Sequence, residues 1–225
     1  SGINTGNISY QRSTTGVALD YVYWSSPVGG VNTPGGYVYN WSPTFVNPNG
    51  GEGYWIGAAN TAMQPGSGYI MRDVFSRSFI GTPNNGVVTS SIARGSDLNA
   101  GTAGPNGVMR TVTDDNWNLL GNPYPSALSI NSFLMANTDL DGFVRLWTHG
   151  TSPSTAITDP FYDNFVSNYT AGDYIAINGA GATSGSGTLS VIGGGQSFFT
   201  LMDPGAATTS SVLFNNSMRN KGYSN

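Results

Sequence analysis

The chain has no cysteine, and among its 225 residues one lysine (Lys221), one glutamate (Glu52) and one histidine (His149). Without cysteine there are no disulfides and no thiolate metal sites. Charged residues make up only 9%, against about 25% in ordinary globular chains. Long exposed helices draw on Glu, Lys and Arg for propensity and for i,i+4 pairs, so the shortage argues against them. The net charge is −4 with no basic cluster. Counterion release on nucleic acid therefore has no driving force, and neither has attraction to an anionic membrane. No apolar run reaches the roughly 18 residues that a membrane-spanning helix needs, so no membrane insertion is expected.

In place of ions the chain carries 32 Gly, 12 Pro and 12% aromatic residues. Pro34-Gly35-Gly36, Pro48-Asn49-Gly50, Pro65-Gly66, Pro83-Asn84-Asn85-Gly86 and Pro105-Asn106-Gly107 are turn signals: Pro fixes φ and Gly accepts positive φ. Between them lie short segments of aromatic and β-branched residues, a spacing that predicts a sandwich or barrel. Residues 18–25 are apolar on both faces, with Leu19, Tyr21 and Tyr23 pointing one way and Val22 and Trp24 the other. A strand of that kind is covered on both sides. Strands are also expected at 68–72, 117–120, 143–148, 174–177, 197–201 and 212–214. Loops are expected at 150–168 and 179–188. Ile130, Phe133 and Leu134 follow Ser129 at i, i+3 and i+4 spacing, which predicts one short helix with a Ser N-cap. The expected fold is all-β: one antiparallel β-sandwich over residues 1–225, jelly-roll-like, with a single short helix. The opening Ser1-Gly2, with neither Met nor an apolar leader, is expected of a processed or excised piece.

Candidate chemistry is sparse. Any Ser-His-Asp triad must use His149, and no G-x-S-x-G elbow accompanies it. His149 ends a predicted strand beside Arg145 and Trp147, and a surface role is the favoured reading. The adjacent Asp114-Asp115 could serve glycoside hydrolysis only with separated carboxylates of unequal pKa. A Thr-Asp-Asp-Asn stretch more often closes turns on its own backbone. Phosphate-cradling glycine motifs are absent, and Gly193-Gly194-Gly195 reads as a turn before a strand. No catalytic and no cofactor-binding residues are assigned, and no enzyme is expected.

Two binding readings stay open. Asn137, Asp139 and Asp141 before Gly142 match the first half of a calcium loop. The twelfth position, however, is Thr148 rather than a bidentate Glu. Asn137 as the C-cap of the short helix is the favoured alternative, with calcium the one cofactor kept in view. Tyr37, Tyr39 and Trp41 alternate along one predicted strand and share a face, so they could form a platform for sugar rings. Core packing is the favoured reading for them too, because sandwich interiors use the same alternation.

Eight blocks in order carry a wider likeness. They are Asp20-Tyr-Val-Tyr-Trp-Ser-Ser-Pro-Val28, Met63-Gln-Pro-Gly-Ser-Gly-Tyr-Ile-Met-Arg72 and Phe79-Ile-Gly-Thr-Pro-Asn-Asn-Gly86, followed by Trp117-Asn-Leu-Leu-Gly-Asn-Pro-Tyr-Pro-Ser-Ala127 and Leu146-Trp-Thr-His149. Tyr169-Thr-Ala-Gly-Asp-Tyr174, Gly195-Gln-Ser-Phe-Phe199 and Phe214-Asn-Asn-Ser-Met-Arg219 complete the set. Together, from Ile8 to Arg219, they resemble a module of large Bacteroidetes (Flavobacterium-type) surface and secreted proteins exported by the type IX secretion system. The resemblance implies an extracellular or cell-surface location, a role in adhesion or display, and a sorting domain beyond Asn225. It transfers no catalytic residue. Gly121-Asn-Pro-Tyr-Pro125 calls for a rigid kink, for which a cis X-Pro bond is one route. The expected function is a non-catalytic structural or adhesive module that contacts neighbouring modules or identical chains. The alternative is a carbohydrate-binding module for surface glycans, assisted by calcium.

Overall fold

The computed structural model describes residues 4–16, 18–96, 100–148, 150–163, 165–182, 189–220 and 222. The strands, in chain order, are β1 (Ile8–Ser13), β2 (Tyr21–Trp24), β3 (Val38–Val46), β4 (Glu52–Gly57), β5 (Tyr69–Arg72), β6 (Ser76–Gly81), β7 (Val88–Ala93), β8 (Trp117–Gly121), β9 (Ala127–Ser129), β10 (Val144–Trp147), β11 (Tyr174–Asn178), β12 (Gly181–Ala182), β13 (Val191–Ile192), β14 (Ser197–Leu201), β15 (Thr209–Phe214) and β16 (Arg219–Asn220). One α-helix, α1 (Ile130–Ala136), lies between β9 and β10. Every strand pairing is antiparallel. The protein is an all-β sandwich with one short helix.

Two sheets form its centre, ordered β2-β5-β3-β4 and β12-β11-β10-β14-β8. In the second, β14 lies between β8 and β10, a long-range insertion of the Greek-key kind. Both sheets are covered on both faces, and the alternation of their side chains shows how. Val22, Trp24, Val38 and Met71 leave the first sheet outward and pack with Phe79 of the β1–β6 pair. Tyr23, Trp41 and Ile70 leave it inward and meet Leu119, Tyr174 and Phe199 of the second sheet. That sheet's other face carries Leu120, Val144, Leu146, Ile177 and Phe198, which pack under α1 and β15 with Phe133 and Phe214. The interior is thus three layers: one of mixed aliphatic and aromatic side chains, one mostly of rings between the two sheets, and one mostly aliphatic beneath α1.

The two sheets approach at a corner made by glycine. The Gly68 N–H donates to Leu119 O (3.2 Å) and the Gly121 N–H to Gly66 O (2.9 Å). A Cβ on Gly68 would sit 2.6 Å from the Leu119 Cγ, and one on Gly121 only 2.3 Å from Ser25. No side chain fits at that approach.

Buried amides hold what ions hold elsewhere. Nδ2 of Asn118 donates to Ala93 O (2.8 Å) while its Oδ1 accepts from Ala93 N–H (3.0 Å), closing one side of the β7–β15 pair. Asn137 does the same to Leu213 on the other side, donating at 3.0 Å and accepting at 2.7 Å. Each side chain acts as a one-residue strand. Helix α1 starts as expected, with the Ser129 hydroxyl accepting from Ser132 N–H (3.3 Å), and buries Ile130 and Phe133. The kink at 121–125 uses no cis bond, since all described peptide bonds are trans. Asn122 supplies it instead, donating to the carbonyls of Ser126, Ile192 and Gly193 and accepting from Tyr124 N–H. Leu19 departs from the expected strand. It precedes β2, is exposed, and sits at φ 75°.

Candidate functional site

The predicted calcium ligands are held by protein. Asn137 is the C-cap of α1, and its amide is fully engaged, donating also to Phe133 O at 2.8 Å. One Asp139 carboxylate oxygen accepts from the Ser210 hydroxyl. Asp141 pairs with Arg145 at 2.6 Å and accepts from Phe143 N–H at 3.2 Å. The polar run following the helix is therefore a turn tied to β15, β10 and its own backbone. No group of three or more His, Asp or Glu suited to a metal ion occurs among the described residues.

Tyr37, Tyr39 and Trp41 do share a face, but they descend from solvent into the interior instead of lying flat. Tyr37 is 55% exposed, with the Arg72 guanidinium 3.4 Å over its ring. Tyr39 is half-buried beside Tyr21, the ring centroids 6.1 Å apart. Trp41 is core: its Nε1 donates to Trp117 O (2.8 Å) and Tyr162 stacks on it at 5.1 Å. Two of the three border cavities: Tyr39 an aromatic cup, and Trp41 a polar groove. Tyr21, Tyr23, Tyr39, Trp55, Ile70 and Tyr169 enclose an aromatic cup of about 170 Å³ where the ring layer opens to solvent. The Tyr23 hydroxyl is fixed against that of Tyr174 at 2.7 Å. Burial pushes the phenols of Tyr23 and Tyr174 well above their ordinary range, and those of Tyr21 and Tyr169 rise for the same first reason. All four are neutral near pH 7.

A second concavity is a groove of about 700 Å³ between β3, β8 and the β7–β15 pair. Asn40, Thr44, Ser90, Ser91, Asn118 and Ser210 are among its walls, and none of its lining residues is charged.

Asp114 and Asp115 part company. Asp115 is buried and accepts from Glu52 N–H (3.1 Å). Asp114 closes a turn on Thr111, as expected, and also faces Asp163 of the 159–166 loop. Burial first, then the charge and hydrogen bond of Asp114, raise Asp163 from the usual carboxylate value to about 7. The buried guanidinium of Arg110 opposes that rise. His149 lies outside the described residues.

Sequence reasoning missed the cup and the Asp114–Asp163 pair because both join distant segments. Tyr23 meets Tyr174 across 151 positions. The usable signal was Tyr21 in phase with Tyr23 on one strand and Tyr39 with Trp41 on another.

With the geometry in place, the chain can be set beside known proteins. It belongs to the family described as "Domain of unknown function (DUF8693)", whose model matches residues 1–225. The searches of curated proteins and of solved structures found no match.

Proposed function

We propose that this module is a non-catalytic structural and adhesive unit of a secreted or cell-surface bacterial protein, working through contacts with neighbouring modules or identical chains. One observation carries the reading. At the tip of the β3–β4 hairpin, Phe45 and Val46 are 48% and 61% exposed. Phe45 stacks on Tyr54 at 5.5 Å and Tyr54 on Phe165 at 6.0 Å, a ring ladder anchored to Trp41. Two exposed apolar side chains beside a ring ladder give a partner a surface to pack against. The likeness to exported surface modules supports the location. Sedimentation velocity over a wide concentration range tests the assembly. Self-association that falls away in Phe45→Ser with Val46→Ser is expected. A monomer at every concentration would sink the self-association half.

A second reading rests on the groove. Its hydroxyls and amides suit the hydroxyls of a neutral sugar chain. A glycan array with and without chelator separates the two readings: the adhesive unit gives no glycan signal, and the carbohydrate-binding module gives one.

A further inference from the structure

We propose that the aromatic cup between Tyr21, Tyr39, Trp55 and Tyr169 binds a quaternary ammonium group. The wall chemistry comes first. Five of the six lining side chains are aromatic and the sixth is Ile70. No carboxylate, amide or guanidinium lines it, and the hydroxyl of Tyr23 is already bonded to Tyr174. A sugar placed there would have only a few phenol hydroxyls to answer its many polar groups, which is costly. A trimethylammonium head has no hydrogen-bonding demand, presents methyl groups to the rings, and gains from their negative faces. The volume, about 170 Å³, suits such a head with the first carbons of its chain and excludes a disaccharide.

Charge points the same way. The lining phenols are neutral, so attraction comes from the rings and from nearby carboxylates. Asp20 and Asp173 both act on Tyr169. The opposing cation is Arg72, which lies over the Tyr37 ring at 3.4 Å and 3.9 Å from Asp73. The chain just before β2 and just after β5, next to the cup's Tyr21 and Ile70, is also held in a costly shape. Leu19 and Asp73 both hold positive φ (75° and 60°). The Leu19 N–H donates to the Asp73 carboxylate, and the Asp73 N–H donates to Asp20 O. Such conformations persist only where surrounding structure enforces them, and fixed chain beside the cup lowers the ordering cost of binding.

The inference goes beyond the scaffold reading, which needs no cup, so its failure would leave the sedimentation result untouched. The test is a proton NMR titration of the intact chain with choline and with its neutral isostere, 3,3-dimethyl-1-butanol. Choline should bind about tenfold tighter, with its methyl resonance moved upfield by the rings. Tyr169→Ser and Tyr39→Ser should each weaken choline about tenfold with an unchanged amide fingerprint. If either variant unfolds, the isostere comparison on the wild type still decides. Phosphocholine and an Nε-trimethyllysine peptide, run as further arms, identify the source of the group by which saturates first. Equal or tighter binding of the alcohol, or no saturable shift at millimolar choline, overturns the proposal.

Discussion

Phe198 and Phe199 are neighbours on β14, both fully buried, yet they face different interiors. Phe198 joins the aliphatic layer beneath α1 and meets one ring there, Phe133, at 5.4 Å. Phe199 stands in the layer between the sheets, with Tyr23, Trp41, Trp55, Trp117, Phe161, Tyr162 and Tyr174 around it at 5.8–6.3 Å. The same strand thus serves two kinds of packing. Beneath α1, aliphatic side chains outnumber the rings and fill the space between them. Rings make tilted and T-shaped pairs that hold the two sheets apart at fixed spacing, and at one end they leave the cup. A chain with few ions and no cysteine holds its sheets through this ring layer and through amides that imitate strands.

Substituting the two residues in turn separates the layers most strongly. Each of Phe198→Ala and Phe199→Ala should cost about 3–5 kcal/mol by denaturant unfolding, the range for a buried Phe. Phe199→Ala should be the worse by about 1 kcal/mol, because ring pairs add to its burial. Equal costs would deny the ring layer any special part. The next effect belongs to the amides. Asn137→Ala strands the N–H and C=O of Leu213 and should lose about 2–3 kcal/mol. If Asn137 holds the structure through these bonds, chelator should leave the wild-type melting temperature unmoved.

The smallest effect is pH-dependent and lies outside both layers, in the Asp114–Asp163 pair. The folded pKa of Asp163, about 7, exceeds the usual carboxylate value near 3.8. The folded state therefore keeps a proton that the unfolded chain releases. This contribution is fully present below about pH 4 and is lost as pH rises toward 7. Asp163→Asn should flatten that decline and gain about 1 kcal/mol at pH 8, the full shift being discounted because the half-buried carboxyl is screened. Melting curves between pH 4 and 8 read it directly.

Much of the frame was legible in the sequence. A run apolar on both faces at 18–25 gave the covered strand β2, shorter than expected at Tyr21–Trp24, the segment 197–201 gave β14, and Ser129 with Ile130 and Phe133 gave α1. Less visible was the work of asparagine. Asn118 reads only as part of a strand, Asn122 as part of a kink and Asn137 as a helix cap or calcium ligand, because nothing local says that an amide will pair with a backbone 25 or 76 residues away. Burial of Trp41 beside the exposure of Tyr37 was equally hidden. Alternation fixes which face a residue takes, but depth depends on the loop at 159–166, whose Tyr162 and Phe165 cap Trp41. The cup follows from that same meeting of distant segments.

Native-state hydrogen exchange tests the layered account most directly. The slowest amides should lie in β2, β5, β8 and β14, the strands that face the ring layer on one side and a second buried layer on the other. Those of the β1–β6 and β7–β15 pairs should open at least about tenfold more often. Outer pairs as well protected as the central strands, or a central sheet that opens first, would contradict it.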